Sequence, residues 1–196
     1  MFELICVTNR TLCCEELPTR IAALCAAGID KIILREKDLS ETEYIALARD
    51  VLQAGGDRVI LHHFPSACSH LNINRLHLSL YQLQQRPEAR KEVALLGVSV
   101  HSPEDARQAE ALGADYVTAG HVFETDCKRG LPGRGLSFLQ DTCRSIQIPV
   151  YAIGGISADR LASVQDAGAA GACLMSGFMR CTDPQAEISA LRSCLL

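Results

Sequence analysis

Short apolar runs alternate with amphipathic segments of helical period along the whole chain, and this alternation constrains the fold more than any other feature. Strands separated by helices are typical of repeated βα units on a parallel sheet. Eight strand-like runs can be counted, at Glu3–Thr8, Lys31–Leu34, Arg58–Leu61, Arg75–Leu78, Ala94–Val100, Asp115–Ala119, Pro149–Ile153 and Ala172–Met175. The clearest predicted helices lie at Glu15–Ala27, Thr42–Gly55, Pro103–Leu112, Ala158–Gly168 and Pro184–Leu195. Eight strands predict an α/β fold, a single (β/α)8 TIM barrel.

Glycines at the ends of the predicted helices support this division of the chain. Gly28, Gly113 and Gly168 follow helical segments and precede the next strand, which is the position of a helix C-cap. The length of 196 residues suits one compact barrel domain over residues 1–196. An open doubly wound sheet would need a glycine-rich first turn to bind a nucleotide, and Val7-Thr8-Asn9-Arg10 is not glycine-rich. We therefore prefer the barrel, whose active site lies at the carboxyl ends of the strands.

Composition and charge exclude several classes of partner. The net charge is -4, and lysine and arginine are scattered, so neither nucleic acid nor an anionic membrane is an expected partner. No apolar run approaches the roughly 18 residues of a membrane span, and the first residues do not resemble a signal peptide, which predicts a cytoplasmic protein. The ten cysteines include no C-x-x-C pair. We expect Cys6, Cys25, Cys143 and Cys173 to be small core residues, and Cys13 and Cys14 to be exposed.

Polar residues and glycines follow the predicted strands and should converge on one pocket. They are Thr8, Arg10, Arg35, Lys37, His62, His63, Ser79, Ser99, His101, His121, Lys128, Gly154, Gly155, Ser176 and Gly177. Gly154 and Gly155 follow strand seven, and Ser176 and Gly177 follow strand eight. In this fold the loops after these two strands often bind phosphate through backbone N–H groups, so we predict a phosphate site there. Alternatively, the glycine pair only makes a tight turn.

The segment from Gly120 to Lys128, Gly-His-Val-Phe-Glu-Thr-Asp-Cys-Lys, concentrates chemistry in one loop. His121 stands directly after strand six, because Gly120 lets the chain turn there. Imidazole has an unperturbed pKa of about 6.5 and can accept or donate a proton near neutral pH. His121 is therefore our candidate general acid/base, although an ordinary surface loop would have the same composition.

The chain resembles the thiamine phosphate synthase/TenI family over nearly its whole length. The matching segments are Ile32 to Leu39, Gly97 to Ser102, Ala114 to Val117 and Pro149 to Ile156. The resemblance implies a (β/α)8 fold and one of two activities on a thiazole phosphate. The synthase joins a pyrimidine diphosphate to the thiazole phosphate with Mg2+, whereas the thiazole tautomerase isomerises a carboxythiazole phosphate to its aromatic form without that metal.

Two departures from the synthase pattern favour the tautomerase. The synthase usually has Gly-Pro-x-Phe where this chain has Gly120-His121-Val122-Phe123, and the tautomerase resembles this chain there. The synthase also carries Asn-Asp-Arg after strand three and an acidic residue after strand four, which bind Mg2+. Here His62-His63-Phe64 and Ser79-Leu80-Tyr81 follow those strands, and Mg2+ prefers oxygen ligands. We therefore expect a tautomerase without a cofactor, with the Mg2+-dependent synthase and a non-catalytic or regulatory thiazole-phosphate-binding protein as alternatives.

The resemblance also implies roles for individual residues. His121 would transfer the proton, and Arg35, Lys37 and Lys128 would pair with the substrate carboxylate. The residues assigned to substrate binding are Arg35, Lys37, Ser99, His101, Thr125, Lys128, Gly155, Met175 and Ser176, and the phosphate would lie at Gly154, Gly155, Ser176 and Gly177. His101 could instead be a structural cap. The expected partner is a small thiazole phosphate, and a homo-oligomer is compatible with the sequence.

One further cluster departs from the tautomerase pattern, which has Asn-Gly-Arg after strand three. Imidazoles and a thiol are zinc ligands, and they occur here at His62, His63, Cys68, His70 and His77. Consecutive strand residues point to opposite faces, so His62 and His63 could share a metal only if the strand has already ended. The spacings are not those of zinc sites, and we expect no metal.

Overall fold

The computed structural model describes residues 1–125 and 130–195. Eight parallel strands form a closed barrel in chain order, with β8 paired to β1, so the chain adopts the predicted (β/α)8 fold. The strands are β1 Glu3–Val7, β2 Lys31–Leu34, β3 Val59–His62, β4 Arg75–Ser79, β5 Leu95–Val100, β6 Tyr116–Gly120, β7 Val150–Ile153 and β8 Gly171–Leu174.

Helices cover the outside of the barrel. In the described part of the chain they are α1 Leu17–Ala26, α2 Glu41–Gly55, α3 Pro65–Leu71, α4 Leu80–Gln85, α5 Ala89–Glu92, α6 Pro103–Ala111, α7 Gly135–Ser145, α8 Ala158–Asp166, α9 Ser176–Arg180 and α10 Pro184–Ser193. The predicted helices extended one to two residues too far at several ends. Helix α8, for example, ends at Asp166 because Ala167 is the C-cap and Gly168 has a φ of +94°.

The helix-facing and barrel-facing sides of the strands form two separate apolar clusters. Strand residues such as Leu4, Ile32 and Val98 pack under the helices in the larger cluster. The smaller cluster, which includes Ile5, Ile33 and Tyr116, fills the barrel interior. Alternation along each strand therefore separates the two cores.

The cysteine predictions are confirmed in part. Cys6 and Cys173 are buried, whereas Cys25 and Cys143 are only half-buried. Cys14 is exposed, but its neighbour Cys13 is half-buried. The nine cysteines in the described ranges are all free thiols. No helix within residues 1–125 and 130–195 combines the length and apolarity that crossing a bilayer requires.

Candidate active site

A buried carboxylate joins the loops after β1 and β2 at the carboxyl end of the barrel. Glu36 is 3% exposed. It accepts a 2.7 Å hydrogen bond from the Thr8 hydroxyl, and the Arg10 guanidinium pairs with it at 3.1 Å. The backbone N–H of Arg35 donates to the Thr8 hydroxyl at 2.9 Å. These bonds fix the chain at Arg35, the first of the three predicted carboxylate-binding cations.

Arg35 and Lys37 both lie close enough to β3 to act on His62 through their charge. Burial of the ring is the largest cause of a His62 pKa well below its usual value. His77 and the charges of Arg35 and Lys37 lower this pKa further. His62 is 7% exposed. The predicted cations therefore stand beside a neutral imidazole at the mouth of the barrel.

His77 lies on β4 next to His62 and faces the barrel interior. The two rings stack with their centroids 5.9 Å apart. Burial lowers the pKa of His77 to about 3. Its Nδ1 bonds to the Tyr116 hydroxyl at 3.0 Å, and its Nε2 bonds to the Ser99 hydroxyl at 2.8 Å. Thr118 donates to the same Ser99 oxygen at 3.2 Å, so the predicted residue Ser99 belongs to a buried polar network.

Strand β3 ends at His62, and the backbone turns at His63, which has a φ of 75°. The rule that consecutive strand residues point to opposite faces therefore does not apply to His62 and His63. Its Nδ1 lies 2.8 Å from Nε2 of Gln82, at the exposed start of α4. Within residues 1–125 and 130–195, no three His, Cys, Asp or Glu side chains are grouped so that they could hold a metal ion.

His121 follows β6 at the same end of the barrel and is half-buried. Its Nε2 lies 3.1 Å from the carbonyl oxygen of Pro132. Because a carbonyl oxygen only accepts hydrogen bonds, Nε2 carries a proton in this contact, and Nδ1 is the unprotonated nitrogen of the neutral ring. The backbone N–H of Arg134 also donates to the His121 carbonyl at 3.1 Å, so two bonds from the segment before α7 hold the residue.

His101 holds the end of strand β6 from the neighbouring loop. Its Nδ1 donates to the carbonyl oxygen of Gly120 at 2.8 Å, and its backbone N–H donates to Asp105 at 2.9 Å. Gly120 immediately precedes His121. The contact with Asp105 belongs to the start of α6, where His101 could be the structural cap. Substrate binding by His101 stays a prediction.

The glycine pair after β7 is packed against the His121 loop. Gly154 has a φ of +100°, and a Cβ built on it would lie 2.8 Å from the His121 Cα. Gly155 has a φ of +65°, and its Cβ would lie 2.7 Å from the Phe123 Cβ and would also meet the Glu124 carbonyl oxygen. The absence of a side chain at both positions therefore lets the loops after β6 and β7 approach each other. Phosphate binding there stays a prediction.

The other predicted residues occupy different parts of the same end. Met175 is half-buried between β8 and α9, and the exposed Ser176 and half-buried Gly177 begin α9. Thr125 is half-buried at the end of the first described range. Lys128 lies outside the described residues.

Comparison with known proteins identifies the family to which this barrel belongs. The family described as thiamine monophosphate synthase matches residues 4–178. The chain belongs to the thiamine monophosphate synthase family. This membership confirms the resemblance seen in the sequence and places the chain among enzymes of thiamin biosynthesis.

Several thiamine monophosphate synthase relatives match over almost the whole chain. The thiamine-phosphate synthase of Syntrophomonas wolfei is 31% identical, and the alignment covers 97% of this chain and 95% of the relative. Thiamine-phosphate synthase 2 of Streptococcus pneumoniae is 30% identical, with 96% and 92% coverage. The thiamine phosphate pyrophosphorylase structure from Pyrococcus furiosus superposes with a TM-score of 0.82 at 25% identity, covering 98% of this chain and 95% of that chain.

Sequence reasoning missed four polar residues of this thiamine monophosphate synthase family member. The sequence places Glu36 and Tyr116 in segments that match the family and Thr118 in a strand, but it gives none of them a role in the site. It names His77 only among candidate zinc ligands. The signal for Glu36 is its position between Arg35 and Lys37. Side chains alternate in direction along an extended chain, so the Glu36 side chain is expected to point away from those of its two neighbours. The signal for the others is a polar residue at alternate positions in apolar strands, which places it inside the barrel.

We predict that Gly155→Ala destabilises the protein more than Gly28→Ala does. Both glycines have positive φ, of +65° and +90°, which L side chains rarely adopt, so both variants carry backbone strain. Nothing lies within 4 Å of a Cβ at Gly28, whereas a Cβ at Gly155 would lie 2.7 Å from the Phe123 Cβ. Urea denaturation should give a free energy of unfolding about 1–3 kcal/mol lower for Gly155→Ala than for Gly28→Ala. Equal losses would show that the close approach of the loops after β6 and β7 does not depend on a missing side chain at Gly155.

Proposed function

We propose that this protein is a thiazole tautomerase that aromatises a carboxythiazole phosphate by proton transfer through His121. The observation that carries the proposal is the position of His121 at the carboxyl end of β6, with Nε2 engaged by the Pro132 carbonyl and Nδ1 left for the substrate. Imidazole exchanges protons readily near neutral pH, which is the property that a tautomerisation needs.

The proposed reaction moves one proton and changes no other atom. His121 Nδ1 takes the proton beside the substrate carboxylate, and the electron pair of the broken C–H bond shifts the double bonds into the ring. The imidazolium then returns a proton to the exocyclic carbon. The imidazole ends the cycle neutral, so no external acid or base is consumed.

Substrate binding would use groups at the same end of the barrel as His121. Arg35 and Lys37 would pair with the substrate carboxylate, because a guanidinium and an ammonium form strong charge-assisted bonds to it. The phosphate would lie at the loops containing Gly154, Gly155, Ser176 and Gly177, as such loops often bind phosphate in this fold. Burial keeps His62 neutral, so this ring would add no positive charge beside the two cations.

The second candidate is the thiamine-phosphate synthase reaction, and the printed names of the relatives favour it. That reaction joins a hydroxymethylpyrimidine diphosphate to the thiazole phosphate and requires Mg2+ in the family pattern. The residues present here do not fit that ion well. Imidazoles at His62 and His63 and a hydroxyl at Ser79 stand where the family pattern has its acidic ligands, and Mg2+ prefers oxygen ligands. The nearby carboxylates Glu36 and Asp38 both pair with Arg10, at 3.1 and 2.7 Å.

Two parallel assays of the purified protein test the proposal. We expect carboxythiazole phosphate to be converted to its aromatic isomer at the same rate with Mg2+ and with EDTA, followed by absorbance and NMR. We expect no thiamin phosphate from hydroxymethylpyrimidine diphosphate, thiazole phosphate and Mg2+. The Syntrophomonas wolfei relative, assayed under identical conditions, is the control for the synthase reaction.

Each alternative function predicts a different result in these assays. Thiamin phosphate formed at a rate comparable to that of the Syntrophomonas wolfei relative, and lost in EDTA, would establish the synthase and overturn our proposal. Tight binding of the thiazole phosphate without turnover in either assay would support a binding or regulatory protein.

A further inference from the structure

A line of hydrogen bonds crosses the barrel interior beneath the candidate site. It joins Tyr116 on β6, His77 on β4, Ser99 on β5 and Thr118 on β6. The interior of this fold is usually filled by branched apolar side chains. Polar groups buried in such a place need partners, so the positions of their protons can be deduced from the contacts.

The Tyr116 hydroxyl sets the direction of the line. Tyr116 is 2% exposed, and among the residues described in the structure His77 Nδ1 is the one hydrogen-bond partner of its hydroxyl. If Nδ1 carried a proton, the phenolic proton would be buried without an acceptor, which is unfavourable. Tyr116 therefore donates, and His77 Nδ1 accepts.

The acceptor role of His77 Nδ1 fixes the direction of the bond between His77 and Ser99. Burial keeps the imidazole neutral near pH 7, so it has one ring proton, and that proton must be on Nε2. Nε2 lies 2.8 Å from the Ser99 hydroxyl oxygen and donates to it. The buried Thr118 hydroxyl lies 3.4 Å from His77 Nε2 and 3.2 Å from the Ser99 oxygen. Because Nε2 already carries a proton, Thr118 donates to the Ser99 oxygen, and both lone pairs of that oxygen are then used.

The hydroxyl proton of Ser99 has no acceptor among the described residues. Ser99 is half-buried at the carboxyl end of β5, where its side chain borders the barrel mouth. Its oxygen already accepts from His77 and Thr118, so the hydroxyl group can only donate to a further partner.

Gly97 provides the space in which the first bond of the line forms. A Cβ at Gly97 would lie 2.5 Å from His77 Nδ1 and would overlap the Tyr116 hydroxyl. Any other residue at this position would separate the two side chains. Gly97 and Ser99, two positions apart on β5, therefore both contribute to this line of hydrogen bonds: Gly97 leaves the space and Ser99 accepts from His77.

We propose that Tyr116 and His77 are positioning residues that make Ser99 an obligate hydrogen-bond donor to a lone pair of the bound thiazole phosphate. The identity of the ligand rests on the proposed function, whereas the direction of the line does not. A ligand group that only donates hydrogen bonds would be rejected at this position, because Ser99 has no lone pair left to accept one.

NMR of the ligand-free protein tests the direction of the line independently of any ligand. Long-range ¹H–¹⁵N correlation spectra should show His77 as the neutral Nε2–H form at pH 7, and Tyr116→Phe should change the ring ¹⁵N shifts. Tyr151→Phe is the matched control, because Tyr151 faces the same interior but bonds to Glu3 at the other end of the barrel. An Nδ1–H form or a charged ring in the parent would overturn the proposal.

A double-mutant cycle on the binding of aromatic carboxythiazole phosphate, the product of the proposed reaction, tests the role of the line in recognition. By calorimetry, Ser99→Ala should raise Kd about 10-fold, and Tyr116→Phe should raise it by about 3-fold or more. In the Ser99→Ala background, Tyr116→Phe should have no further effect, because it acts through Ser99. Additive effects would show a merely structural role for Tyr116 and overturn the proposal. A parent that binds no carboxythiazole phosphate would refute the proposed function, and the NMR result would then decide the direction of the line by itself.

Discussion

Replacing His121 with asparagine should lower kcat for the isomerisation of carboxythiazole phosphate by about 10²–10⁴-fold, the usual contribution of a general acid/base. The asparagine amide lies at about the position of Nδ1, so it does not reach the Pro132 carbonyl that His121 Nε2 contacts at 3.1 Å. It has no basic nitrogen to replace Nδ1. KM should therefore stay within a few-fold of the parent value, because the substrate is bound by other groups. Steady-state kinetics of the two proteins, with circular dichroism to verify the fold, give this comparison.

His101→Asn and His70→Asn are the controls for this variant. His101 bonds to the Gly120 carbonyl and supports the His121 backbone, so its loss should reduce kcat by a smaller factor than the loss of His121. His70 is exposed on α3, and its replacement should leave kcat unchanged. Substantial activity in His121→Asn, or a larger loss in His101→Asn, would remove His121 from the catalytic role.

The barrel could be predicted from the sequence because its signals are local. Each strand is a short apolar run, and glycines such as Gly28 and Gly168 mark helix ends through positive φ values of +90° and +94°. Helices α3, α4, α5, α7 and α9 are not among the predicted helices. Except for α7, which has 11 residues, they have only four to seven residues, too few for a helical period to be recognised.

The site was predicted only in part because some of its members depend on contacts between strands. His121 and Arg35 follow strands directly, and the fold alone brings them to one end of the barrel. The partnership of His77 with Tyr116 depends on the register that sets both beside Gly97. A packing function of Gly154 against His121 also depends on loops that are distant in sequence. Such pairings are tertiary properties, and one sequence does not reveal them.

The buried histidines should make the protein sensitive to mild acid. His77 is 2% exposed, and burial lowers its pKa to about 3, whereas a histidine in the unfolded chain titrates near about 6.5. Between these values the unfolded chain binds a proton that the native protein excludes, so the free energy of unfolding falls as the pH falls. His62 contributes in the same direction because its pKa is also lowered.

The expected slope is about 1.4 kcal/mol per pH unit for each buried histidine once the pH is below about 6. Urea denaturation between about pH 6 and pH 5 measures this slope above the range in which most carboxylates titrate. His77→Gln should lower the slope by about 1.4 kcal/mol per pH unit, whatever its effect on stability at pH 7, because glutamine does not titrate. His70→Gln makes the same substitution at an exposed position and is the matched control. An identical slope for the parent and His77→Gln would mean that His77 takes up a proton in the native protein. The ring would then not be limited to one proton, and the deduced direction of the Tyr116–His77–Ser99 line would fail.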